Sequence, residues 1–314
     1  MKYRVLGSVA AAAAIAFAQP VSYLAQAGRA AEILAATRKA IGGGKLESLK
    51  TFSVQSDVQR NMGGMQLNAD VEILLELPDK YARAETLNGG PGMMIAGGGS
   101  TGFNGERALQ KVGAGGMGGG NMVIRTGGGG PLPSPATEKP SPEQLEQMKT
   151  TALRSSKTEA SRLMLGWFAM AHPIVHAEYT YLGEAESVEG KAFVIEAKDA
   201  DGFAARLFID EQSHLPLMVT YKAAKPRMVT QTMGAPAGGH AAPAGGAMAQ
   251  VQEALKQPPE MADFTVYFED WRDADGVKFP FKMRRASGGD TTEEWSVSKV
   301  KVNPKIDPKK FAVE

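Results

Sequence analysis

Few residues of this chain could bind a metal or move a proton, and two histidines come closest to a recognised spacing. His172 and His176 have the i, i+4 separation of a helical zinc pair. Pro173 interrupts a helix between them, and no glutamate follows His172 as the zinc-protease motif requires. We therefore interpret both histidines as turn or packing residues and expect neither a metal nor a cofactor.

Adjacent carboxylates at Glu293-Glu294 and Glu269-Asp270 could supply an acid and a base. Both pairs fall in predicted strands, where neighbouring residues point to opposite faces of the sheet. We interpret them as solvated charges on the outer face, because neither pair converges on one substrate. The sequence has no Gly-x-Ser-x-Gly nucleophile elbow, and no Gly-Lys-Ser or Gly-Lys-Thr follows its glycines. The sequence therefore predicts a protein that is not an enzyme.

Soft side chains at Met228, Met233, His240 and Met248 would suit Cu(I). Their spacing is irregular, and the Gly-Ala-Pro sequence between them would hold a metal site poorly. An apolar, methionine-rich lid explains the same residues more simply. Copper binding is thus the lower alternative.

The balance of charges gives no general attraction to a polyanion. The 314 residues include 35 Lys and Arg against 34 Asp and Glu, a net charge of +1, so we expect no nucleic-acid partner. With 43% hydrophobic and 22% charged residues, the composition is that of a globular protein. Cysteine is absent, which excludes disulfides and the lipid-bearing cysteine of a bacterial lipoprotein. We expect no permanent membrane anchor.

The N-terminus has the pattern of a secretory signal peptide. Two positive residues precede an uncharged apolar stretch over 5–18, and small-x-small cleavage motifs end at Ala18 and Ala27. The apolar run is shorter than the about 20 residues that cross a bilayer. We predict cleavage after Ala27, with the site after Ala18 as the alternative. Residues 1–27 are then the signal peptide, and 28–314 form one periplasmic domain.

Hydrophobic alternation indicates a largely antiparallel sheet. Apolar residues of one parity over 52–58 and 67–77 predict two long strands joined by a turn at 61–64. Strands over 264–273 and 277–286 flank Asp275-Gly276, which is typical of a hairpin turn. Further strands are expected at 81–87, 93–96, 102–111, 178–187, 191–199, 204–210, 217–222 and 293–302.

Helical periodicity is confined to a few segments. Apolar residues recur at helical spacing from Ala30 to Ile41, and three glycines then end the run. Ser141-Pro142-Glu143-Gln144 begins another helix with a capping hydroxyl and a proline at the first position. That helix carries Leu145, Met148 and Ala152, and a second amphipathic run with Trp167 and Phe168 follows.

Two low-complexity inserts interrupt this pattern, at about 113–140 and 223–263. Of the 37 glycines, 18 lie within 89–130, and glycine loses the most backbone entropy on ordering. The second insert is rich in Ala, Gly, Pro and Met, with one short helix predicted around 248–255. We interpret both inserts as flexible loops.

Short motifs follow one another along the chain in an order that resembles a known family. They are the helix ending in glycines at 30–44, Pro78-Asp79-Lys80-Tyr81, Phe103-Asn104-Gly105-Glu106, Tyr181-Leu182-Gly183-Glu184, Arg206-Leu207-Phe208-Ile209-Asp210, Asp275-Gly276-Val277-Lys278-Phe279-Pro280 and Val302-Asn303-Pro304. In this order they resemble the superfamily of periplasmic lipoprotein carriers and outer-membrane lipoprotein-sorting proteins, the LolA/LolB-like group. The two inserts and the missing lipidated cysteine depart from that pattern.

The resemblance implies an α+β fold, in which a strongly curved antiparallel sheet forms an open half-barrel covered by α-helices. It also implies an apolar ligand in the cavity, such as a lipid or the acyl chains of a lipoprotein. The alternative is an envelope interaction or sensor module that binds a protein partner instead. Strand parity gives the candidate ligand-binding residues of the inner face: Phe52, Val54, Val58, Val71, Ile73, Leu75, Phe193, Ile195, Leu207, Ile209, Phe279, Phe281 and Met283.

Overall fold

A computed structural model describes the chain over 23–62, 65–88, 98–112, 121–126, 141–187, 190–225, 227–232 and 260–313. The helices are α1 (Tyr23–Ile41), α2 (Gly44–Glu47) and α3 (Pro142–Phe168), with a 3-10 turn at Pro308–Phe311. The strands are β1 (Thr51–Met62), β2 (Met65–Glu76), β3 (Lys80–Asn88), β4 (Gly98–Asn104), β5 (Arg107–Val112), β6 (Asn121–Thr126), β7 (Glu178–Ser187), β8 (Gly190–Lys198), β9 (Ala204–Asp210), β10 (Pro216–Ala224), β11 (Arg227–Thr232), β12 (Met261–Ala274), β13 (Val277–Ser287) and β14 (Asp290–Val302).

Twelve strands form one antiparallel sheet in the order β5-β4-β3-β2-β1-β14-β13-β12-β10-β9-β8-β7. Most neighbours in this order are consecutive in the chain, as alternation and hairpin turns predicted. The long-range pairing joins β1 to β14, with Phe52 opposite Val302. The edge strands β5 and β7 do not pair with each other. The predicted open antiparallel sheet is therefore confirmed.

The contacts of α3 agree with a curved sheet. The helix backbone approaches β4 and β5 near one edge, and β9 and β10 toward the other. The middle strands are reached by its large side chains: the Phe168 and Phe52 ring centroids are 5.0 Å apart, and those of Trp167 and Phe279 are 4.9 Å apart. A sheet whose flanks lie nearer to the helix than its centre does is concave toward that helix.

Helix α3 is one continuous helix of 27 residues, where two amphipathic runs were expected. Its start is as predicted, because the Ser141 hydroxyl accepts from the Gln144 amide and the Gln144 side chain accepts from the Ser141 amide. Leu145 and Met148 are 42% and 57% exposed. The first turns of α3 therefore extend beyond the sheet, and burial begins at Ser156.

A glycine sets the depth at which α3 packs on the sheet. A Cβ added to Gly166 would lie 2.6 Å from Cε2 of Phe268 on β12 and would overlap its Cζ. Beside this contact, Trp167 Nε1 donates to Met283 Sδ at 3.2 Å. The absence of a side chain at Gly166 therefore allows the aromatic end of α3 to reach the core.

Helix α1 packs against β7 and β13 and is joined to the end of α3 by one arginine. Arg38 Nε donates to the Ala169 carbonyl at 3.0 Å, and Arg38 Nη2 donates to the Met170 carbonyl at 3.4 Å. Ala169 and Met170 have φ of 46° and 52°, so their carbonyls leave the direction of the helix. Arg38 thus satisfies carbonyls that α3 itself cannot.

Some local predictions were wrong. The strand expected over 102–111 is instead the hairpin of β4 and β5, which turns at Gly105 with φ of 60°. Within the predicted inserts, β6 and β11 pair in parallel as a separate two-stranded sheet. Both are glycine-free stretches with β-branched residues, which favours strand formation. The strand expected over 93–96 and the helix around 248–255 lie outside the described residues.

Candidate ligand-binding site on the concave face

The predicted inner-face residues all belong to one hydrophobic cluster or pack against it. Twelve of the thirteen are no more than 5% exposed, and Phe281 is half-buried. Part of this face is filled by the protein itself, since the rings of Phe52 and Phe279 are 5.3 Å apart and both contact the aromatic end of α3. The structure thus assigns these residues a packing role, and their contact with a ligand stays a prediction.

An open cavity of about 450 Å³, part of whose volume faces solvent, lies between α1 and β7. The α1 side is formed by Ala27, Ala31, Leu34 and Arg38, and the other side by residues 177–179. Leu34 belongs to the main hydrophobic cluster, and two of the residues opposite pack against it. The inner wall of the cavity is therefore continuous with the apolar core of the sheet.

The cavity lining is more apolar than polar, and its polar groups are the Arg38 guanidinium, the Glu178 carboxylate and the Tyr179 phenol. Burial raises the pKa of Tyr179, and the positive charge of Arg38 partly offsets that effect. Arg38 is at the same time committed to the carbonyls at the end of α3. An apolar ligand in this cavity would thus meet methyl groups and Leu34 along α1, and a guanidinium at one end.

At the other end of β1 from Phe52, the concave face carries buried charges that the sequence did not reveal to us. We call Arg60, Arg83, Glu85, Glu159, Arg285 and Glu293 the charge network. Glu293 on β14 is 5% exposed and lies opposite Arg60 on β1 and Arg285 on β13. Arg60 Nε donates to Glu293 Oε1 at 2.5 Å, and Arg285 Nη1 is 3.4 Å from Glu293 Oε2. Arg60 Nη2 also donates to Glu85 Oε2 at 2.7 Å.

Arg83 on β3 extends the charge network to the covering helix. Its guanidinium forms an ion pair with Glu159 of α3 and lies 3.4 Å from Glu85. It also stacks over the ring of Trp295, with 5.0 Å between the guanidinium carbon and the ring centroid. The network therefore links α3, through Glu159, to four strands of the sheet: β1, β3, β13 and β14.

Both strand carboxylates of the charge network are ionised at neutral pH. Burial alone would raise the pKa of Glu293, but the charges of Arg285, Arg60 and Arg83 outweigh it and hold that pKa at about 2. Burial also opposes ionisation of Glu85, yet the hydrogen bond from Arg60 and the charge of Arg83 lower its pKa. These carboxylates act as counter-charges and are poor proton donors at neutral pH.

The interpretation of Glu293 as a solvated outer-face charge was wrong, because three arginines surround it on the inner face. Its neighbour Glu294 is exposed, as are Glu269 and Asp270, in agreement with the prediction for those residues. The alternation of residues along the strands could have predicted this burial. Arg60 has the same parity as the inward-facing Val54 and Val58, and Glu293 has the same parity as the buried Trp295.

The histidines have local structural partners. His172 Nε2 lies 2.8 Å from the Leu46 carbonyl oxygen, and the His214 ring stacks on Phe193 at 6.2 Å. Within the described part of the chain, no cluster of three His, Asp or Glu side chains could hold a metal. Met228 lies in β11, and the other three residues considered for copper lie outside the described residues. None of the described helices is both long enough and apolar enough to span a bilayer.

The fold is an open antiparallel sheet of twelve strands, with α3 packed against one of its faces. No protein-family model matches the sequence, and no curated protein is significantly similar to it. Solved structures similar to this chain include a LolA superfamily protein from Nitrosomonas europaea, with a TM-score of 0.46 and 9% identity over 90% of this chain and 97% of that one. A putative outer membrane lipoprotein-sorting protein domain from Vibrio parahaemolyticus gives 0.44 and 11%, over 91% and 97%.

A DUF1329 family protein from Desulfovibrio piger is similar with a TM-score of 0.43 and 8% identity, over 90% of this chain and 97% of that one. The names of the two structures from Nitrosomonas and Vibrio are those of the group to which the motifs were compared.

Proposed function

We propose that this chain is an exported, periplasmic carrier or binding protein that holds an apolar ligand, such as a lipid or an acyl chain, beneath its helices. The cavity between α1 and β7 is the observation that carries the proposal. Its α1 wall is built from alanines, Leu34 and Arg38, and its inner side is continuous with the core. Burial of apolar surface contributes about 0.8 kcal/mol per CH₂, so several methylenes suffice for binding without a charged anchor.

The thirteen inner-face residues enter the proposal through movement of α1. Ile33 and Leu34 of α1 belong to the same cluster as those residues. A displacement of α1 from β7 would therefore enlarge the cavity toward them and let a long acyl chain replace helix contacts. In this proposal α1 is the element that opens, while α3 stays held by the charge network and by its aromatic end.

An envelope interaction module is the alternative function. It is favoured by one feature, the exposed Leu145 and Met148 on the part of α3 that extends beyond the sheet. A protein partner could bury that apolar stripe without entering the cavity. Mass spectrometry of the protein purified from the periplasm separates the two functions, because a carrier retains lipid and an interaction module does not.

Filling the cavity tests the carrier proposal directly. Ala31 and Ala35 lie one turn apart on α1 and are both exposed, but only Ala31 lines the cavity. We expect Ala31→Phe to weaken binding of a fluorescent C16 fatty acid at least tenfold, and Ala35→Phe to leave it unchanged. Equal affinities of both variants and the wild type would place the ligand elsewhere, and no binding by the wild type would remove the carrier function.

A further inference from the structure

Two arginines on the concave face carry hydrogen-bond donors that nothing accepts. The Nε atoms of Arg162 on α3 and Arg285 on β13 are both buried and have no hydrogen-bond partner. Arg285 reaches Glu293 through Nη1 at 3.4 Å, whereas Arg162 Nη2 donates to the Lys222 carbonyl at 3.4 Å. In the described part of the chain Arg162 makes no ion pair. Buried donors without acceptors are rare, since each loses its hydration without compensation.

An aromatic pair holds the two guanidiniums in place without using their donors. Tyr221 on β10 lies opposite Phe264 on β12, and their rings stack at 5.7 Å with 21° between planes. The Arg162 guanidinium carbon is 3.9 Å from the Tyr221 centroid, and that of Arg285 is 5.0 Å from the Phe264 centroid. Two cations are thus fixed on neighbouring rings, with N–H groups left to bind something else.

The charges around these arginines are not balanced. Within the described residues, Arg60, Arg83, Arg162 and Arg285 face three carboxylates, and each of these is already paired with an arginine other than Arg162. Burial lowers the pKa of Arg162, and the nearby Tyr221 and Glu159 offset this only in part. Glu159, one turn before Arg162, is paired with Arg83. A negatively charged group beside Arg162 would therefore balance the fourth arginine.

We propose that Arg162 and Arg285 form a binding subsite for an oxyanion group, a carboxylate or a phosphate. The planar fork of arginine donors matches both groups. Where the oxyanion is the head group of an amphiphile, the inference rests on the proposed function and gives the apolar ligand a polar end. Binding of free phosphate needs only the subsite itself.

The test compares a carboxylate amphiphile, its neutral analogue and free phosphate. We expect laurate to bind the wild type at least tenfold more tightly than dodecanol by calorimetry, and Arg162→Gln to abolish this preference without changing dodecanol affinity. At constant ionic strength, inorganic phosphate is expected to raise the melting temperature of the wild type and not that of Arg162→Gln. Arg206→Gln is the matched control, since Arg206 is exposed and pairs with Glu196.

The outcomes separate the source of the anion and the two proposals. If laurate is preferred over dodecanol but phosphate has no effect, the subsite binds the head group of an amphiphile. If phosphate stabilises the protein but laurate is not preferred, the subsite binds free phosphate. Either result supports the subsite. Equal responses of the wild type and Arg162→Gln to laurate and to phosphate overturn the subsite proposal. The carrier function is judged separately, because it stands when laurate and dodecanol bind with equal affinity. Phosphate protection without binding of either amphiphile keeps the subsite and removes the carrier function. If Arg162→Gln does not melt cooperatively, Arg162→Lys replaces it in the test, because lysine retains the charge. We expect the laurate preference or the phosphate effect of Arg162→Lys to be at least threefold smaller than that of the wild type.

Discussion

The ring of Phe268 on β12 lies against the bare backbone of Gly166 in α3, with no space between them for a methyl group. Gly166→Ala must therefore push the helix or the ring away. We expect a loss of about 1 to 3 kcal/mol in the free energy of unfolding, as for other overpacked cores. Urea unfolding monitored by tryptophan fluorescence measures it.

The control for this substitution is Gly44→Ala, because a Cβ added at Gly44 in α2 meets nothing within 4 Å. We expect its stability to equal or slightly exceed that of the wild type. Combining Gly166→Ala with Phe268→Leu should recover part of the loss, because the smaller side chain makes room. Equal stability of Gly166→Ala and Gly44→Ala would contradict the packing described.

Acid is expected to weaken the charge network through Glu293. Its pKa is about 2 in the folded protein against an ordinary value of 4.5, so its contribution is complete above pH 4.5 and is lost as the pH falls toward 2. Linkage puts this contribution on the order of 3 kcal/mol. Urea titrations between pH 6 and pH 3 should show the wild type losing stability more steeply than Glu293→Gln.

At neutral pH the same substitution leaves Arg60 and Arg285 without their shared counter-charge. Breaking one partner of a buried ion pair costs about 3 to 5 kcal/mol, and we expect Glu293→Gln to fall in that range. Glu294→Gln, at the exposed neighbouring position, is the control and should change neither stability nor its pH dependence. A steep acid response that survives in Glu293→Gln would assign the effect to other carboxylates.

Phe279 and Phe281 are expected to respond differently to a polar side chain. Phe279 is fully buried against Trp167, whereas Phe281 is half-buried with the Arg272 guanidinium 4.7 Å from its ring centroid. Phe279→Asn should therefore lose about 3 kcal/mol or more, and Phe281→Asn should keep a cooperative fold. Circular dichroism with fatty-acid titration checks this: weaker binding by a folded Phe281→Asn supports its place in the ligand site.

The position of α1 bears on where the exported chain begins. Cleavage after Ala27 would cut within α1, which starts at Tyr23, and would remove one residue lining the cavity. Cleavage after Ala18 would keep every described residue of α1. The sequence predicts cleavage after Ala27, so mass spectrometry of the protein isolated from the periplasm is expected to find Gly28 at its N-terminus, and Gln19 would support the alternative. A mature chain that starts at Gly28 would show that the first turn of α1 is dispensable.

Strand parity predicted most of the sheet, because alternation such as Val71, Ile73 and Leu75 records which face is buried. It did not predict that a face could be apolar at one end and charged at the other. Arg60 and Glu293 occupy inward positions, but a single charged residue in an apolar register looks like the solvated end of a strand. Only the pairing of β1 with β14, which lie far apart in sequence, brings these opposite charges together.

The helices were harder to place for a related reason. Helical periodicity identified the apolar residues of α3 but not which of them lie over the sheet, so Leu145 and Met148 look the same in sequence as Met164, yet only Met164 is buried. The cavity also has no sequence signature. It results from small alanines on α1 facing the start of β7, and alanines at those positions would suit a tightly packed helix equally well.

Arg38 belongs to two structures at once, the wall of the cavity and the hydrogen bonds that close the end of α3. A ligand group that accepts a hydrogen bond from Arg38 competes with the carbonyls of Ala169 and Met170 for the same guanidinium. Such competition is thermodynamically mutual: a ligand that loosens the end of α3 is itself bound more tightly, by the same factor, when that end is already loose. For such a ligand, occupancy of the cavity and order at the aromatic end of α3 are one coupled equilibrium, with Arg38 as the group that both sides share.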